Sequence, residues 1–119
     1  MKSAVTSTGQ DLDSTVDPRF GRAAYILIVD ADTWAFEVLD NAENVNAFKG
    51  AGIQAAAMIS DKQADVLLTG FCGPNAFKTL DAAQIRVASD VNGTVREAVT
   101  AFIGGSVALV SEPNAQEHW

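Results

Sequence analysis

The 119-residue sequence predicts an α/β domain built on a mixed sheet with helices on both faces. Three observations carry this expectation. Two apolar runs bounded by turn residues, Asp65–Thr69 and Ile85–Ala88, alternate with segments of helical character, as buried parallel strands do. Two β-rich runs, Tyr25–Asp30 and Ala35–Asp40, flank Ala31-Asp32-Thr33-Trp34 and read as a hairpin. The resulting order is β-β-β-α-β-α-β-α. Neighbour pairing and right-handed crossovers then give a five-stranded sheet of order 3-2-1-4-5, with strand 2 antiparallel.

Each element has a local reason. Lys2–Thr6 is short and apolar at its centre, a first strand. Asn41–Lys49 is a polar crossover, and Gly50-Ala51-Gly52 opens a helix that runs from Ile53 to about Lys62, rich in alanine. Gly70–Pro74 breaks the fourth strand, and Pro74 suits the first position of a helix over Asn75–Ala83. Thr94 caps a last helix that Gly104-Gly105 stops at Ile103. Residues 1–105 form the predicted domain. Ser106–Val110 is compatible with a short extra strand, and Ser111–Trp119 reads as a flexible tail.

Composition narrows the function classes. A net charge of −7 argues against general nucleic-acid binding, which needs a basic surface to displace counterions. No stretch approaches the roughly 20 apolar residues of a membrane span. No signal peptide is legible, and the single Cys72 fits a reducing compartment, so the cytoplasm is the expected location. Strand 1 lies where the sheet order reverses, and in such sheets ligands bind outside the carboxyl ends of the strands.

Four segments should meet at that edge. The loop Thr6–Arg22 leaves strand 1 and ends in Val16-Asp17-Pro18-Arg19-Phe20-Gly21-Arg22. It exceeds the length of about 12 residues above which loops are commonly functional or disordered. Two guanidiniums in a Gly- and Pro-fixed setting can hold a multi-oxygen anion; they can equally staple the loop to Asp11, Asp13 or Asp17. Gly50 and Gly52 at one helix start, and Gly70 and Gly73 at another, leave backbone N–H groups accessible for an anion, or serve tight turns alone. Cys72, just before a helix start, should ionise more easily and is a candidate soft-metal ligand; a buried small side chain is the competing reading. His118 lies in the tail, which leaves the domain body few general acid–base candidates.

Taken in order, these motifs resemble a known family. Thr6-Ser7, Val16–Ala23, Gly50-Ala51-Gly52-Ile53-Gln54-Ala55-Ala56, Thr69-Gly70-x-x-Gly73-Pro74-Asn75-Ala76-Phe77 and Gly93-Thr94-Val95-Arg96-Glu97-Ala98 are similar to the nitrogenase iron–molybdenum-cofactor accessory family. That family includes NifX-like proteins and the C-terminal domain of NifB-like proteins, and the likeness spans Met1 to Gly104. The resemblance implies a three-layer, ribonuclease H-like fold and non-catalytic carriage of a polyanionic metal–sulfur cluster. The cluster would be a mixed molybdenum–copper sulfide or an iron–molybdenum-cofactor type, exchanged with a donor or recipient protein by a monomer or homodimer. By position, Arg19, Arg22 and the Gly50–Gly52 and Gly70–Gly73 loops would frame it. Phe20, Phe71 and Ile53 are the candidate apolar walls.

Two other classes stay open. A regulatory module binding a partner protein fits the same composition. An enzyme on phosphorylated or nucleic-acid substrates would need carboxylates on the central strands to hold paired metals. Ser3-Ala4-Val5 and Val66-Leu67-Leu68 offer none.

Overall fold

A computed structural model of the protein describes residues 1–41 and 50–110. The described elements are β1 (Lys2–Ser7), β2 (Tyr25–Asp30), β3 (Phe36–Asp40), α1 (Ala51–Asp61), β4 (Val66–Leu68), α2 (Pro74–Ala82), β5 (Arg86–Ala88), α3 (Val95–Ile103) and β6 (Leu109–Val110). They form one sheet of order β3-β2-β1-β4-β5-β6. The predicted order of the first five strands therefore holds. β2 is antiparallel to β1 and β3, while β1, β4 and β5 run parallel.

The expected five-stranded sheet is corrected by the sixth strand. Gly105 takes φ 74, a backbone conformation that glycine adopts without steric cost, and the chain turns back along the free side of β5. Leu109 then pairs with Ala88 and Val110 with Val87, antiparallel. The polar crossover before α1 and the tail with His118 fall largely outside the described residues.

Alternation along the strands builds two cores. Ala4, Ile26, Ile28, Leu67 and Val87 face Ala55, Ala56 and Ile59 of α1 and Ala76 and Leu80 of α2. Val5, Leu27, Val29, Leu68 and Ala88 face Val95, Ala98 and Val99 of α3, with Leu12 and Val16 of the long loop. Helices thus cover both faces, as the continuous apolar runs in β4 and β5 require. No described helix is long and apolar enough to cross a membrane.

The long loop belongs to the fold on the α3 side. Its backbone carbonyls at Leu12 and Ser14 accept the N–H groups of Arg96 (2.8 Å) and Val95 (2.9 Å). Val16 donates to the Gly93 carbonyl at 2.8 Å, and Thr15 bridges Thr94. Asp13 pairs with Arg96 at 3.1 Å rather than with Arg19 or Arg22. Arg96 also lies over the Trp34 ring, 5.8 Å from its centroid.

Candidate functional site

The four segments do meet at the carboxyl edge. Loop 8–24 leaves the end of β1, β2 begins beside it, α1 follows the end of β3, and the turn after β4 leads into α2. The last part of the loop lies across both helix starts. The Pro18 carbonyl accepts the Phe71 N–H at 2.6 Å, and a Cβ on Gly70 would stand 2.7 Å from Pro18 Cα. Phe20 donates its N–H to the Phe71 carbonyl at 3.1 Å, so Arg19 and Phe71 form a short parallel bridge. Gly21, at φ 90, then reaches α1, where its Cβ would meet Gly52 N at 2.8 Å. Only glycine fits that conformation and that approach together.

Buried polar groups pin the loop from behind. Asp17 donates its N–H to the Thr6 carbonyl at 2.9 Å, and the Thr6 hydroxyl donates back to the Asp17 carbonyl at 2.6 Å. Thr69 Oγ1 lies 2.9 Å from Thr6 Oγ1. Because the one Thr6 hydroxyl proton serves a carbonyl, Thr69 is the donor of that pair. The Asp17 carboxylate accepts the Arg19 N–H at 3.0 Å and stands 3.8 Å from Arg19 Nε. Asn41 is buried, and its amide donates to the carbonyls of Gly21 (3.2 Å) and Ala23 (2.8 Å), on either side of Arg22.

The helix starts differ. Gly50 caps α1 at φ 82 and Gly73 caps α2; neither helix has a side-chain cap or an acidic residue in its first turn. Among the described residues, nothing lies within 4 Å of a Cβ built at Gly50. α3 is the reverse case, with Thr94 and Glu97 forming a capping box and the loop taking its first amides. Among the described residues, α1 and α2 therefore begin without the side-chain cap and acidic first turn that close α3.

Of the predicted site residues, Arg19 has a half-exposed side chain (50 %), and Arg22 is half-buried. Phe71 (37 %) and Ile53 (42 %) present apolar surface at the same edge. Gly52 and Gly70 are accounted for by packing: a Cβ on Gly52 would lie 2.8 Å from Ala76 Cβ, and Gly70 rests on Pro18. Gly73 is buried at its N-cap.

Two expectations are corrected. Phe20 is 1 % exposed and belongs to the α1/α2 core, so it cannot wall a surface site. Along the bridge to Phe71, successive side chains leave on opposite sides, sending Arg19 outward and Phe20 inward. Cys72 is also turned into that core, with Sγ 3.8 Å from the Gly73 carbonyl. Burial pushes its thiol up to about 12, against the lowering expected beside a helix start. Desolvation outweighs the helix dipole here.

Sequence reasoning missed Thr6, Thr69 and Asn41 as anchors, since such residues are common at strand ends and turns. Among the described residues no three His, Cys, Asp or Glu side chains group so as to hold a metal ion. The charged side chains that the long loop brings to this edge are Asp17, Arg19 and Arg22.

Comparison with known proteins agrees with this architecture. The apo form of the orange protein from Desulfovibrio gigas superposes with a TM-score of 0.94 at 48% identity, over 96% of each chain. A Thermotoga protein described as a NifB protein has a TM-score of 0.83 at 33% identity, over 96% of this chain and 97% of its own. A Methanocaldococcus jannaschii protein described as a dinitrogenase shares the fold, with a TM-score of 0.70 at 19% identity, over 95% and 97% of the two chains. No curated protein matches the sequence. Residues 1–105 match the family described as dinitrogenase iron-molybdenum cofactor, and the chain belongs to that family.

Proposed function

We propose that this protein binds and carries a polyanionic metal–sulfur cluster as cargo at the carboxyl edge of its sheet, without catalysis. The observation that carries the reading is the laying of loop 18–22, with its two arginines, across two helix starts that lack side-chain caps. A sulfide-rich anion is bulky and weakly hydrated. Backbone amides of α1 and α2, the guanidiniums of Arg19 and Arg22, and the apolar surface of Phe71 and Ile53 suit it. Cys72 and Phe20 do not belong to this frame, because both are core residues.

Within this reading the layered sheet is a ribonuclease H-like one used for binding. Its central strands carry Ser3-Ala4-Val5 and Val66-Leu67-Leu68 where a two-metal nuclease needs carboxylates. A mixed molybdenum–copper sulfide is the first cargo to test, on the family resemblance and the 48% identity to the orange protein. An iron–molybdenum-cofactor type is the alternative, and a donor or recipient protein is the implied partner.

The test is a visible absorption titration with tetrathiomolybdate and copper(II), against a protein-free control, followed by gel filtration. A coloured species should stay with the protein, and Arg19→Ala with Arg22→Ala should lose it while keeping the fold. A chromophore retained equally by the double variant would overturn the site. No retained chromophore in the unaltered protein would overturn the molybdenum–copper reading and favour the other cluster type or a partner-binding role.

A further inference from the structure

Arg19 lies on an exposed loop, yet its backbone is tied to the interior by a continuous polar chain. Thr69, at the end of β4, donates to Thr6 at the end of β1 across 2.9 Å. Thr6 holds both backbone groups of Asp17, donating to its carbonyl at 2.6 Å and accepting its N–H at 2.9 Å. Asp17 then accepts the Arg19 N–H at 3.0 Å and keeps its carboxylate 3.8 Å from Nε. Thr6, Thr69 and Asp17 are all buried, whereas the Arg19 side chain is half exposed.

We infer that Thr6 and Thr69 are positioning residues for Arg19: their hydroxyls fix Asp17, and Asp17 aims the guanidinium at the edge where cargo binds. This rests on the cargo reading above. The chemistry favours a positioning role because a packed strand end needs no hydroxyls. Valine at either site would keep the shape and the β-propensity. At position 6 it would leave both the buried Asp17 carbonyl and the Thr69 hydroxyl without their present partner, and at position 69 it would take the donor from the Thr6 oxygen, a loss felt where the network leads. With Nε turned toward Asp17, the terminal nitrogens of the guanidinium are the ones free to face an anion. Thr69 directly precedes the Gly70–Gly73 turn, whose Phe71 holds the Arg19 segment through backbone bonds to Pro18 and Phe20.

The experiment has two arms, one of which needs no cargo. Amide exchange at Arg19 should quicken about tenfold in Thr6→Val, while exchange at Gln54 in α1 stays unchanged, and Thr6→Ser should restore protection. In the titration with tetrathiomolybdate and copper(II), Thr6→Val should weaken retention about tenfold and Thr69→Val less. Neither should weaken it further once Arg19 is alanine, since residues acting through one group are not additive. Unchanged Arg19 exchange in both valine variants would overturn the positioning role. So would a valine effect on retention that persists undiminished with Arg19→Ala. Faster Arg19 exchange in a protein that retains no cargo would leave the positioning intact and overturn the cargo reading instead.

Discussion

Gly52 of α1 approaches Ala76 of α2 so closely that a Cβ on Gly52 would stand 2.8 Å from the Ala76 Cβ. The two helices therefore start side by side, with Gly21 of the loop resting on the same Gly52 backbone.

Alanine at position 52 should destabilise the protein even though alanine is the better helix former by about 1 kcal/mol. Overpacking against Ala76 costs about 1–3 kcal/mol and wins. A denaturant melt should show a lowered midpoint with an unchanged slope. A raised midpoint would mean that the helices separate freely.

Gly50 answers to a different constraint. Its φ is 82, and no described residue lies within 4 Å of the missing Cβ, so Gly50→Ala should cost about 1–2 kcal/mol through backbone strain. Asparagine tolerates this conformation, and Gly50→Asn should recover most of that loss in the same melt. Equal losses for the two variants would place the cost in a contact rather than in φ.

The Cys72 thiol, held up to about 12 in the folded protein against 9.0 as its ordinary value, ties stability to alkaline pH. Above about pH 9 the unfolded chain releases a proton that the folded chain keeps, so stability is full below pH 9 and falls from there towards 12. Cys72→Ala should flatten that fall in melts taken as a function of pH. Native protein at pH 8 should resist a thiol reagent that labels the unfolded chain at once. Rapid native labelling would show the thiol to be reachable.

Thr94→Ala removes the hydroxyl that accepts the Glu97 N–H at 3.1 Å and breaks the capping box of α3. It should cost about 1 kcal/mol of stability. Cargo retention should stay unchanged, since α3 is closed by its own cap and by the loop carbonyls. A loss of retention at unchanged stability would move the site to that helix.

Much of this edge was legible in the sequence because turn residues and short apolar runs fix topology, and topology alone brings Arg19, Gly50 and Gly73 to one edge. The order of the first five strands followed from the hairpin and the two parallel runs. What escaped was decided by single-residue geometry. Arg19 and Phe20 are neighbours in one short motif, and only their pairing with Phe71 determines which faces outward. Cys72 precedes a helix start by sequence, yet its side chain enters the core between α1 and α2. Gly50 and Gly52 look alike in sequence, although one serves a left-handed φ and the other a close approach. Thr6 and Thr69 stood in the motifs that carry the resemblance, but their anchoring role, like that of Asn41, lies in partners distant along the chain.

The loop that joins β1 to β2 waits for partners made much later: Thr15 pairs with Thr94, and Arg19 with Phe71. Closing such distant contacts carries an entropy cost repaid only after both are present, so this loop orders late in folding. A chain still emerging from the ribosome and lacking Thr69–Phe71 has neither the bridge from Arg19 to Phe71 nor the Thr69 hydroxyl behind Thr6. Kinetic φ-values near zero at Thr15 and Arg19, beside higher values in the β1–β2 pairing, are the expected signature. Under the cargo reading proposed above, a chain takes up cargo only after the turn that follows β4 has been made.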